Sequence, residues 1–486
     1  METRRDTLNE RLSEATLADL PLAVERPAYA RADLVPGIVH FGPGAFHRAH
    51  QAAYADAVLA DDPRWGIAAV ALNSTGVADA LVPQDGLYTL ATLGAETRLR
   101  VIGSLLQFPT MRNPAAIVAQ IAAPTTRLIT ATVTEKGYAL TGEGGLDFAN
   151  PAIVHDLAEP DVPTSYIGWL VHSLAERRRA GNGGLTILSC DNLAANGRRQ
   201  RRAVLDFAEA RDPDLARWIA DVVRFPSSMV DSITPATDDA LRARVAGVLG
   251  ITDAWPIQRE TFTQWVIEDD FAGERPPFDA AGAQFVRDVA AFEDAKLRLL
   301  NGAHSALAYL GLLLGHDSVG DAMNDPSLAR FVEAMMRDEV APTLGAAEGL
   351  DLSTYVVAIL TRFRNPAIRH SLWQIAWDGS QKLPFRLFGT MVEARAQGGD
   401  ARRLAIAVAA WFRFLALPRP PAPELIDPLA DRLLDLAATG NVDALIDDSG
   451  IVPEALRGDA ALRAAIRGAF RAMDGPAGVR GSIETA

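Results

Sequence analysis

The chain has 486 residues, of which 49% are hydrophobic and 22% charged, and its formal net charge at pH 7 is −14. This length exceeds one ordinary hydrophobic core and predicts two domains, while the composition is typical of a globular protein in water. The acidic balance excludes broad binding to nucleic acid or to an anionic membrane, so we expect a small-molecule partner.

Cys190 is the only cysteine, which excludes an internal disulfide and a cysteine-rich zinc site. A single thiol fits the reducing cytoplasm. Residues 1–20 are charged and lack the apolar segment of a secretory signal, and the apolar run 306–314 is too short to span a bilayer. We therefore expect a cytoplasmic protein, as a monomer or a small homo-oligomer.

Segments rich in Val, Ile and Thr alternate with helical segments in the first half of the chain. This alternation is typical of a parallel sheet with helices on both faces, and it predicts an α/β domain with an N-terminal arm at residues 1–285. The predicted strands are 37–42, 65–72, 127–135 and 185–192, and the predicted helices between them are 46–60, 113–121 and 166–180.

Strand signals are scarce after about Phe285. The segment 286–314 carries the periodicity of one long helix, with an interruption near Gly302. We therefore predict a mostly α-helical second domain at residues 286–486. Its further predicted helices are 328–337, 352–362, 401–415 and 428–438.

A candidate phosphate-binding loop follows the first predicted strand, where Gly42, Pro43 and Gly44 precede the helix that begins around Phe46. Glycines at such a turn let the backbone approach a phosphate, and the helix N-terminus supplies N–H donors. The spacing is G-x-G-x-x-H, so His47 stands where the usual fingerprint has its third glycine. A tight turn without a ligand is the alternative.

The second predicted strand ends at Asn73 and Ser74. A NAD site usually carries Asp or Glu there for the ribose hydroxyls, and an Arg indicates the 2′-phosphate of NADP. Asn73 or Ser74 can still hydrogen-bond a ribose. NAD is favoured, and NADP stays open.

The chain has only three lysines, Lys136, Lys296 and Lys382, and its other basic residues are arginines. Lysine loses its proton when it is buried or placed among charges, whereas arginine does not. Each retained lysine is therefore a candidate for proton chemistry or substrate binding. The alternative is a general drift toward arginine that left three lysines by chance.

The segment from Lys296 to His304 carries the densest set of candidate catalytic residues. On an α-helix Lys296, Asn301 and His304 fall at roughly 0°, 140° and 80°, so they share one broad face. Apolar neighbours lower the pKa of a lysine and suit it to general-base catalysis. Asn301 can donate to an alkoxide, and His304 can hold a substrate hydroxyl. The alternative is an amphipathic helix whose lysine reaches to solvent.

Two other dehydrogenase mechanisms are excluded by reading the sequence. No tyrosine has a lysine four residues later, and the cysteine ligands of a zinc dehydrogenase are missing. A hydride-transferring enzyme of this composition is left with a lysine base and no metal.

Several blocks, in this order along the chain, together resemble the mannitol dehydrogenase family of polyol-specific long-chain dehydrogenases. The blocks are GPGAFHRAH (42–50), TVTEKGY (132–138), SCDNLAANG (189–197), FPSSMVDSITP (225–235), KLRLLNGAHS (296–305) and DGSQKLP (378–384). The resemblance implies a Rossmann-type dinucleotide-binding N-terminal domain, an α-helical C-terminal domain, and an active site in the cleft between them. It also implies metal-independent, lysine-dependent hydride transfer with a nicotinamide cofactor, NAD or NADP.

The resemblance also implies roles for individual residues. Lys296 matches the general base, Asn192 and Asn301 match the pair that binds the reacting oxygen, and His304 matches the histidine that orients the substrate. Asp231 and Lys382 match positions that bind substrate hydroxyls. The expected cofactor contacts are Gly42, Gly44, Phe46, Asn73, Ser74, Thr132, Thr134 and Glu135.

Substrate identity is open between two branches of the family. Ser232 stands where many relatives carry arginine, and Gln374 stands where some mannitol enzymes carry a substrate-binding arginine. The leading hypothesis is interconversion of a polyol and a ketose of the mannitol 2-dehydrogenase type, and the alternative is interconversion of mannonate and fructuronate. Arg369 and His370 are candidate partners for a substrate carboxylate, because arginine binds carboxylates with two parallel hydrogen bonds.

A third reading, from a different class, is a non-catalytic nucleotide-sensing protein. Retention of all four candidate catalytic residues argues against it.

Overall fold

The structure is a computed structural model that describes residues 10–418 and 424–486. The chain divides into two compact units after Ala290. The first unit is an α/β unit and the second is almost entirely helical, which confirms the predicted fold class. The domain boundary predicted between residues 285 and 286 lies slightly earlier and stays a prediction.

The first unit contains all the named strands of the described chain. They are β1 (Val24–Glu25), β2 (Pro36–Phe41), β3 (Gly66–Val70), β4 (Tyr88–Leu93), β5 (Arg98–Ile102), β6 (Leu105–Gln107), β7 (Leu128–Ala131), β8 (Leu185–Ser189), β9 (Val223–Arg224), β10 (Ser228–Asp231), β11 (Ile257–Glu260), β12 (Gln264–Glu268) and β13 (Gln284–Val286).

The central sheet has six parallel strands in the order β6-β3-β2-β7-β8-β9. Alternate residues of its strands enter two different cores, because successive side chains of a strand point to opposite faces. Ile38 packs in one core, and its neighbours Val39 and Phe41 pack in the other. Both faces of the sheet are thus covered, as the apolar strands predict.

Two smaller sheets were not predicted from the sequence. One has the order β1-β5-β4-β11, with β4 and β5 antiparallel, and the other has the order β10-β12-β13, with β10 and β12 antiparallel. Their lengths match those of the central sheet, but β5 contains Arg98 and Arg100 and β11 contains Arg259 and Glu260, so their apolar pattern is weaker.

The helices of the first unit surround these sheets, and Asn150 and Asp212 cap two of them through their side chains. The helix predicted at 46–60 is interrupted at His50, whose φ of −118° and ψ of −88° are not helical. The helices are α1 (Ala45–Ala49), α2 (Gln51–Val58), α3 (Gly76–Leu81), α4 (Pro114–Ala122), α5 (Pro151–Ala158), α6 (Tyr166–Arg179), α7 (Asn196–Arg211), α8 (Pro213–Val222) and α9 (Asp239–Leu249).

The second unit is built from α-helices. After α10 (Ala290–Ala295), which crosses the division, they are α11 (Gly302–Leu313), α12 (Val319–Met323), α13 (Pro326–Ala334), α14 (Leu352–Phe363), α15 (Leu372–Ala376), α16 (Gly379–Leu383), α17 (Gly389–Ala396), α18 (Arg402–Leu415), α19 (Ala430–Ala438), α20 (Val442–Asp448), α21 (Glu454–Arg457), α22 (Ala460–Ala472) and α23 (Gly475–Glu484).

π-helical turns interrupt this helical unit at Lys296–Asn301, Met335–Val340 and Pro384–Phe388. The prediction of one helix over 286–314 is therefore wrong in two respects. Val286 ends a strand, and the irregularity is a π-turn that runs directly into α11 at Gly302. Apolar periodicity does not distinguish the two forms, because a single π-turn changes the helical phase without changing the residue types.

The described residues contain neither a candidate membrane span nor a candidate metal cluster. None of their helices combines the length and the apolar character that crossing a bilayer requires. No group of three or more His, Cys, Asp or Glu residues among them is arranged to hold a metal ion.

Candidate active site

The predicted cofactor-binding residues lie at one edge of the central sheet. Gly42 follows β2, Asn73 comes after β3, and Thr132 follows β7, while Asn192, which was predicted to be catalytic, comes after β8 at the same edge. The order of strands reverses between β2 and β7, since β3 lies on one side of β2 and β7 on the other. Ligands of open α/β sheets bind outside the carboxyl ends of the strands at such a reversal, so this edge is the candidate cofactor site.

The two glycines after β2 have different structural requirements. Gly42 has a φ of +84°, and a Cβ there would lie 2.2 Å from the carbonyl oxygen of Thr132, so only glycine fits. Gly44 has a φ of −70°, and a Cβ there would meet nothing closer than the Gly42 oxygen at 3.9 Å. The exposed backbone of Gly44 therefore borders open space, as a loop that receives a phosphate group requires. The loop fits a dinucleotide.

His47 stands at the position of the third glycine of the dinucleotide-binding fingerprint, and its ring stacks on a residue of β2. Its ring lies flat on that of His40, with centroids 3.3 Å apart and planes 13° apart, and both rings are fully buried. In the usual fingerprint the third glycine allows close packing of helix and strand. The stacked imidazoles provide that contact here. The half-buried Phe46 stacks in turn on His50, with centroids 5.0 Å apart.

His40 also connects the ends of β2 and β7. Its Nδ1 lies 2.8 Å from Thr130 Oγ1, and its Nε2 lies 3.0 Å from Thr132 Oγ1. The Thr132 hydroxyl donates to the Gly42 carbonyl at 2.7 Å. Burial lowers the pKa of His40 to about 3 and holds the pKa of His47 well below its ordinary value, so both rings are neutral near pH 7.

Thr134 and Glu135 lie on an exposed turn after β7, whose next residue Lys136 is exposed as well. Thr134 has a φ of +64° and a ψ of 164°, a region almost restricted to glycine. The half-buried carboxylate of Asp191 accepts the backbone N–H groups of Val133 and Thr134, each at 3.0 Å. The predicted cofactor-binding turn is thus fixed by a residue from the end of β8.

The residues predicted to bind the ribose, Asn73 and Ser74, are both exposed. No carboxylate stands at these two positions. The guanidinium of Arg112 lies beside this turn, where it donates to the Thr75 hydroxyl at 2.9 Å and to the Asp79 carboxylate at 2.6 Å. This end of β3 therefore presents hydroxyl and amide groups together with a nearby cation.

Asn192 and Asp231 occupy different environments in the first unit. Asn192 is exposed directly after the β8 end, whereas Asp231 is 5% exposed at the end of β10. The start of β10 is tied to the end of β8, because the Ser228 hydroxyl donates to the Ser189 carbonyl at 2.6 Å. Their predicted roles in oxygen and substrate binding stay predictions.

Lys296 and Asn301 are the first and last residues of a π-turn in the second unit, and both are half-buried. The angular positions expected from a regular α-helix are wrong for this turn, because its hydrogen bonds close over five residues rather than four. Leu299 and Leu300 of the turn are buried and pack it into the unit. π-turns inside α-helices are frequent at functional sites.

His304, in the next turn, is almost completely buried. Its ring lies 4.5 Å from that of Phe363 and 5.0 Å from that of His370, and its Nε2 has no hydrogen-bond partner among residues 10–418 and 424–486. Burial, followed by the charges of His370, Arg362 and Arg386, holds the pKa of His304 well below its ordinary value. A neutral imidazole with an unsatisfied nitrogen is suited to bind a substrate hydroxyl.

Lys382 lies near His370. Its ammonium donates to the Trp377 carbonyl at 2.7 Å and is half-buried. Burial, and then the charge of Arg386, lowers the pKa of Lys382. Burial, and then the charge of Lys382, lowers the pKa of His370. The structure therefore brings the Lys382 ammonium close to His370, whose ring in turn contacts the neutral His304.

Two arginines extend this part of the second unit. Arg369 is exposed in the loop between α14 and α15, and Arg386 is half-buried and donates to the Ser305 hydroxyl at 3.3 Å. In the described part of the chain neither guanidinium pairs with a carboxylate. Sequence reasoning missed Arg386, because no helix was predicted over residues 379–388 that would place it one turn after Lys382.

Asp191 was also missed, and the sequence holds no local signal for it. Its backbone partners Val133 and Thr134 are 58 and 57 residues away. Its third partner, the Tyr138 hydroxyl at 2.8 Å, lies in the same distant block. Such a contact exists only once the strands β7 and β8 are paired.

Two family models match nearly the whole chain. The model described as the mannitol dehydrogenase Rossmann domain matches residues 36–280, and the model of the mannitol dehydrogenase C-terminal domain matches residues 288–474. D-mannonate oxidoreductase of Escherichia coli (strain K12) is 42% identical, over 94% of this chain and 97% of the relative. Mannitol 2-dehydrogenase of Phaeosphaeria nodorum is 38% identical, over 92% of this chain and 81% of the relative.

Two solved structures resemble the fold. Pseudomonas fluorescens mannitol 2-dehydrogenase, in a ternary complex with NAD and D-mannitol, has a TM-score of 0.82 at 36% identity and covers 98% of this chain and 99% of its own. A substrate-free D-sorbitol dehydrogenase has a TM-score of 0.92 at 32% identity, with 97% and 100% covered.

The chain has a Rossmann-type sheet, and a helical unit with Lys296 in a π-turn follows it. This architecture is that of a long-chain dehydrogenase with two units. The chain belongs to the mannitol dehydrogenase family. The resemblance inferred from the sequence blocks is thereby confirmed.

Proposed function

We propose that this enzyme interconverts a linear polyol and the corresponding ketose, as a dehydrogenase of the mannitol 2-dehydrogenase type. The observation that carries the proposal is the half-buried π-turn bounded by Lys296 and Asn301, which is followed by the buried, neutral His304. The names of relatives such as mannitol 2-dehydrogenase and D-sorbitol dehydrogenase support a polyol substrate.

The first unit fits a nicotinamide dinucleotide, because Gly44 borders open space at the reversal point of the sheet. When bound, the nicotinamide supplies the acceptor of a hydride in oxidation and its donor in reduction. The residues proposed to hold the cofactor are Gly42, Gly44, Phe46, Asn73, Ser74, Thr132, Thr134 and Glu135.

NAD is the proposed cofactor, since a related solved structure contains it. NADP is the alternative to test, because a relative from Gluconobacter oxydans, 37% identical, is named polyol:NADP oxidoreductase. The exposed Arg112 beside Ser74 is suited to a 2′-phosphate.

Lys296 is the proposed general base of the oxidation. As a neutral amine it accepts the proton of the C2 hydroxyl while the hydride leaves C2, and as an ammonium it returns the proton in the reduction. The side-chain N–H groups of Asn192 and Asn301 donate to the reacting oxygen and stabilise its developing negative charge.

Three other residues are proposed to orient the substrate. His304 binds a hydroxyl through its Nε2, which otherwise lacks a partner in the described chain. Asp231 accepts from a second hydroxyl, and the Lys382 ammonium donates to a third. Because His304 is neutral, it orients the substrate hydroxyl without adding a positive charge. Such a charge would disfavour the protonated form of Lys296.

A second candidate is the interconversion of mannonate and fructuronate. The observation that favours it is a pair of half-buried cations in the second unit, Arg386 near His304 and Lys382 near His370, and burial lowers the pKa of both cations. The negative charge of an anionic substrate would stabilise the protonated forms of Lys382 and Arg386. The 42% identity to D-mannonate oxidoreductase points the same way. Arg369 and His370 are its proposed carboxylate partners.

The deciding experiment is an absorbance assay of nicotinamide reduction and oxidation. Polyols, ketoses, aldonates and ketouronates are tested in parallel, each with NAD(H) and with NADP(H). We expect turnover of a polyol–ketose pair. Turnover confined to an aldonate–ketouronate pair would establish the second candidate, and no turnover of any sugar derivative would contradict both.

The lysine mechanism has its own test. Lys296→Met should abolish turnover while the affinity for NADH stays within about threefold, since the substitution removes the base and retains the apolar stem. Arg298→Met, in the same π-turn, is the matched control and should keep most activity. Full activity of Lys296→Met would contradict the mechanism.

A further inference from the structure

Thr134 holds a backbone conformation that its residue type disfavours. Its φ of +64° and ψ of 164° fall in a region populated almost entirely by glycine, and a β-branched side chain makes the region still less favourable. Thr134 is exposed, so packing around its side chain does not impose this conformation. Something else in the structure must stabilise it.

The stabilising group is the carboxylate of Asp191. Its two oxygens are divided between neighbouring amides, because Val133 N–H donates to Oδ2 and Thr134 N–H donates to Oδ1, each at 3.0 Å. The Tyr138 hydroxyl donates to Oδ2 at 2.8 Å and fixes the carboxylate in turn. Charge-assisted bonds of this kind are about twice as strong as neutral ones, so together they can offset the backbone strain.

The strained turn is joined to the glycine loop. Thr132, two residues before Thr134, donates to the Gly42 carbonyl at 2.7 Å and packs its own carbonyl where a Gly42 side chain would be. Hydrogen bonds therefore link three separate segments along the cofactor edge of the sheet: the loop at Gly42, the turn at Thr132–Thr134, and Asp191. Strained residues fixed by their surroundings are typical of pre-organised binding sites.

We propose that Asp191 is a positioning residue of the cofactor site. It holds the backbone of Val133 and Thr134 in the strained conformation and thereby presents Thr134 and Glu135 to the dinucleotide in a fixed geometry. This role rests on the proposed function of this edge of the sheet. Asp191 does not act on the reacting atoms.

A double-mutant cycle tests the proposal. Asp191→Asn places an amide NH₂ against one of the two backbone N–H groups, and we expect NADH to bind about tenfold more weakly. Thr134→Gly removes the backbone strain together with the Thr134 side chain, so the NADH affinity of this single variant is the reference for the second half of the cycle. In the Thr134→Gly background, Asp191→Asn should cost no more than about threefold, because glycine adopts the turn without the carboxylate. NADH affinity is measured by fluorescence titration of the full chain.

Asp156→Asn is the matched control. Asp156 is a buried carboxylate of the same unit that accepts the backbone N–H groups of Thr164 and Ser165, so its loss lowers thermal stability as a structural role predicts. Its effect on NADH affinity should be the same with and without Thr134→Gly.

Two unfavourable results are distinguishable. If the wild-type chain binds NADH and the effects of Asp191→Asn and Thr134→Gly are simply additive, the positioning role is wrong and the proposed function stands. If the wild-type chain binds neither NADH nor NADPH, the proposed function is wrong. The positioning role is then wrong as well, because it depends on a cofactor site.

Discussion

The imidazole of His40 on β2 lies flat on the imidazole of His47 on α1, with ring centroids 3.3 Å apart. The stack spans the glycine loop, since one residue precedes Gly42 and the other follows Gly44. Both rings are neutral because burial disfavours their charged forms. The packing of strand against helix behind the candidate cofactor loop therefore depends on two histidines that must stay unprotonated.

Acidification should destabilise the first unit through this pair. The pKa of His40 is lowered from its ordinary 6.5 to about 3, so between these values the unfolded chain binds more protons than the folded chain. Stability is complete above about pH 6.5 and falls by about 1.4 kcal/mol per pH unit for each such histidine as the pH decreases. Urea unfolding at a series of pH values measures this slope.

The control for this slope is a His40→Gln, His47→Gln double variant. It should be less stable at pH 7 and less sensitive to pH between 6.5 and 4. An unchanged slope would show that other groups control acid unfolding.

Gly42 and Gly44 should respond differently to a methyl group. Gly42→Ala forces alanine to a φ of +84° with its Cβ against the Thr132 carbonyl, and it should cost about 2 kcal/mol or more of stability. Gly44→Ala fits the existing backbone and should leave thermal stability unchanged, yet fill the space proposed for a phosphate and weaken NADH binding about tenfold or more. Undiminished NADH affinity in Gly44→Ala would argue that the dinucleotide binds elsewhere.

Oxidation should depend on pH through Lys296 and not through His304. The protonated form of Lys296 cannot accept a proton, so kcat/KM for polyol oxidation should fall as the pH decreases. The pKa of His304 is held well below its ordinary value, so it stays neutral across the assay range. His304→Asn should lower kcat/KM about tenfold without moving the midpoint of the pH profile. A shifted midpoint would assign the ionisation to the histidine.

Arg369 and Arg386 should differ in their effects on substrate choice. Arg369 is exposed without a carboxylate partner in the described chain, so Arg369→Ala should lower kcat/KM for a ketouronate by about 10- to 100-fold and leave a polyol nearly unaffected. Arg386 donates to Ser305, whose hydroxyl donates to the Asn301 carbonyl at 3.2 Å. Arg386→Gln should therefore reduce activity on both substrates through the π-turn. Equal losses, or none, for both substrates in Arg369→Ala would remove its proposed role.

Much of the architecture was accessible from local sequence. The strands from Pro36, Leu128 and Leu185 and the helices from Tyr166 and Leu352 lie within a few residues of their predicted positions. Their apolar and β-branched residues act at short range, where periodicity is informative. The two smaller sheets were missed, because their strands carry charged residues that weaken the apolar pattern, and because β1 and β11 join β4 and β5 only through pairing with distant segments.

The candidate site divides in the same way. The sequence by itself determined which residues are available for chemistry, since Lys296, Asn301 and His304 lie close together along the chain and Gly42 and Gly44 adjoin a strand end. Tertiary structure decided how these residues are held. The Asp191 carboxylate fixes the turn at Thr134 through contacts between residues far apart in sequence, and the π-turn that displaces Lys296 from α-helical phase is contacted by the distant Thr343 through Arg298. Such contacts leave no periodic signal, because their free energy is gained only when the intervening chain has folded.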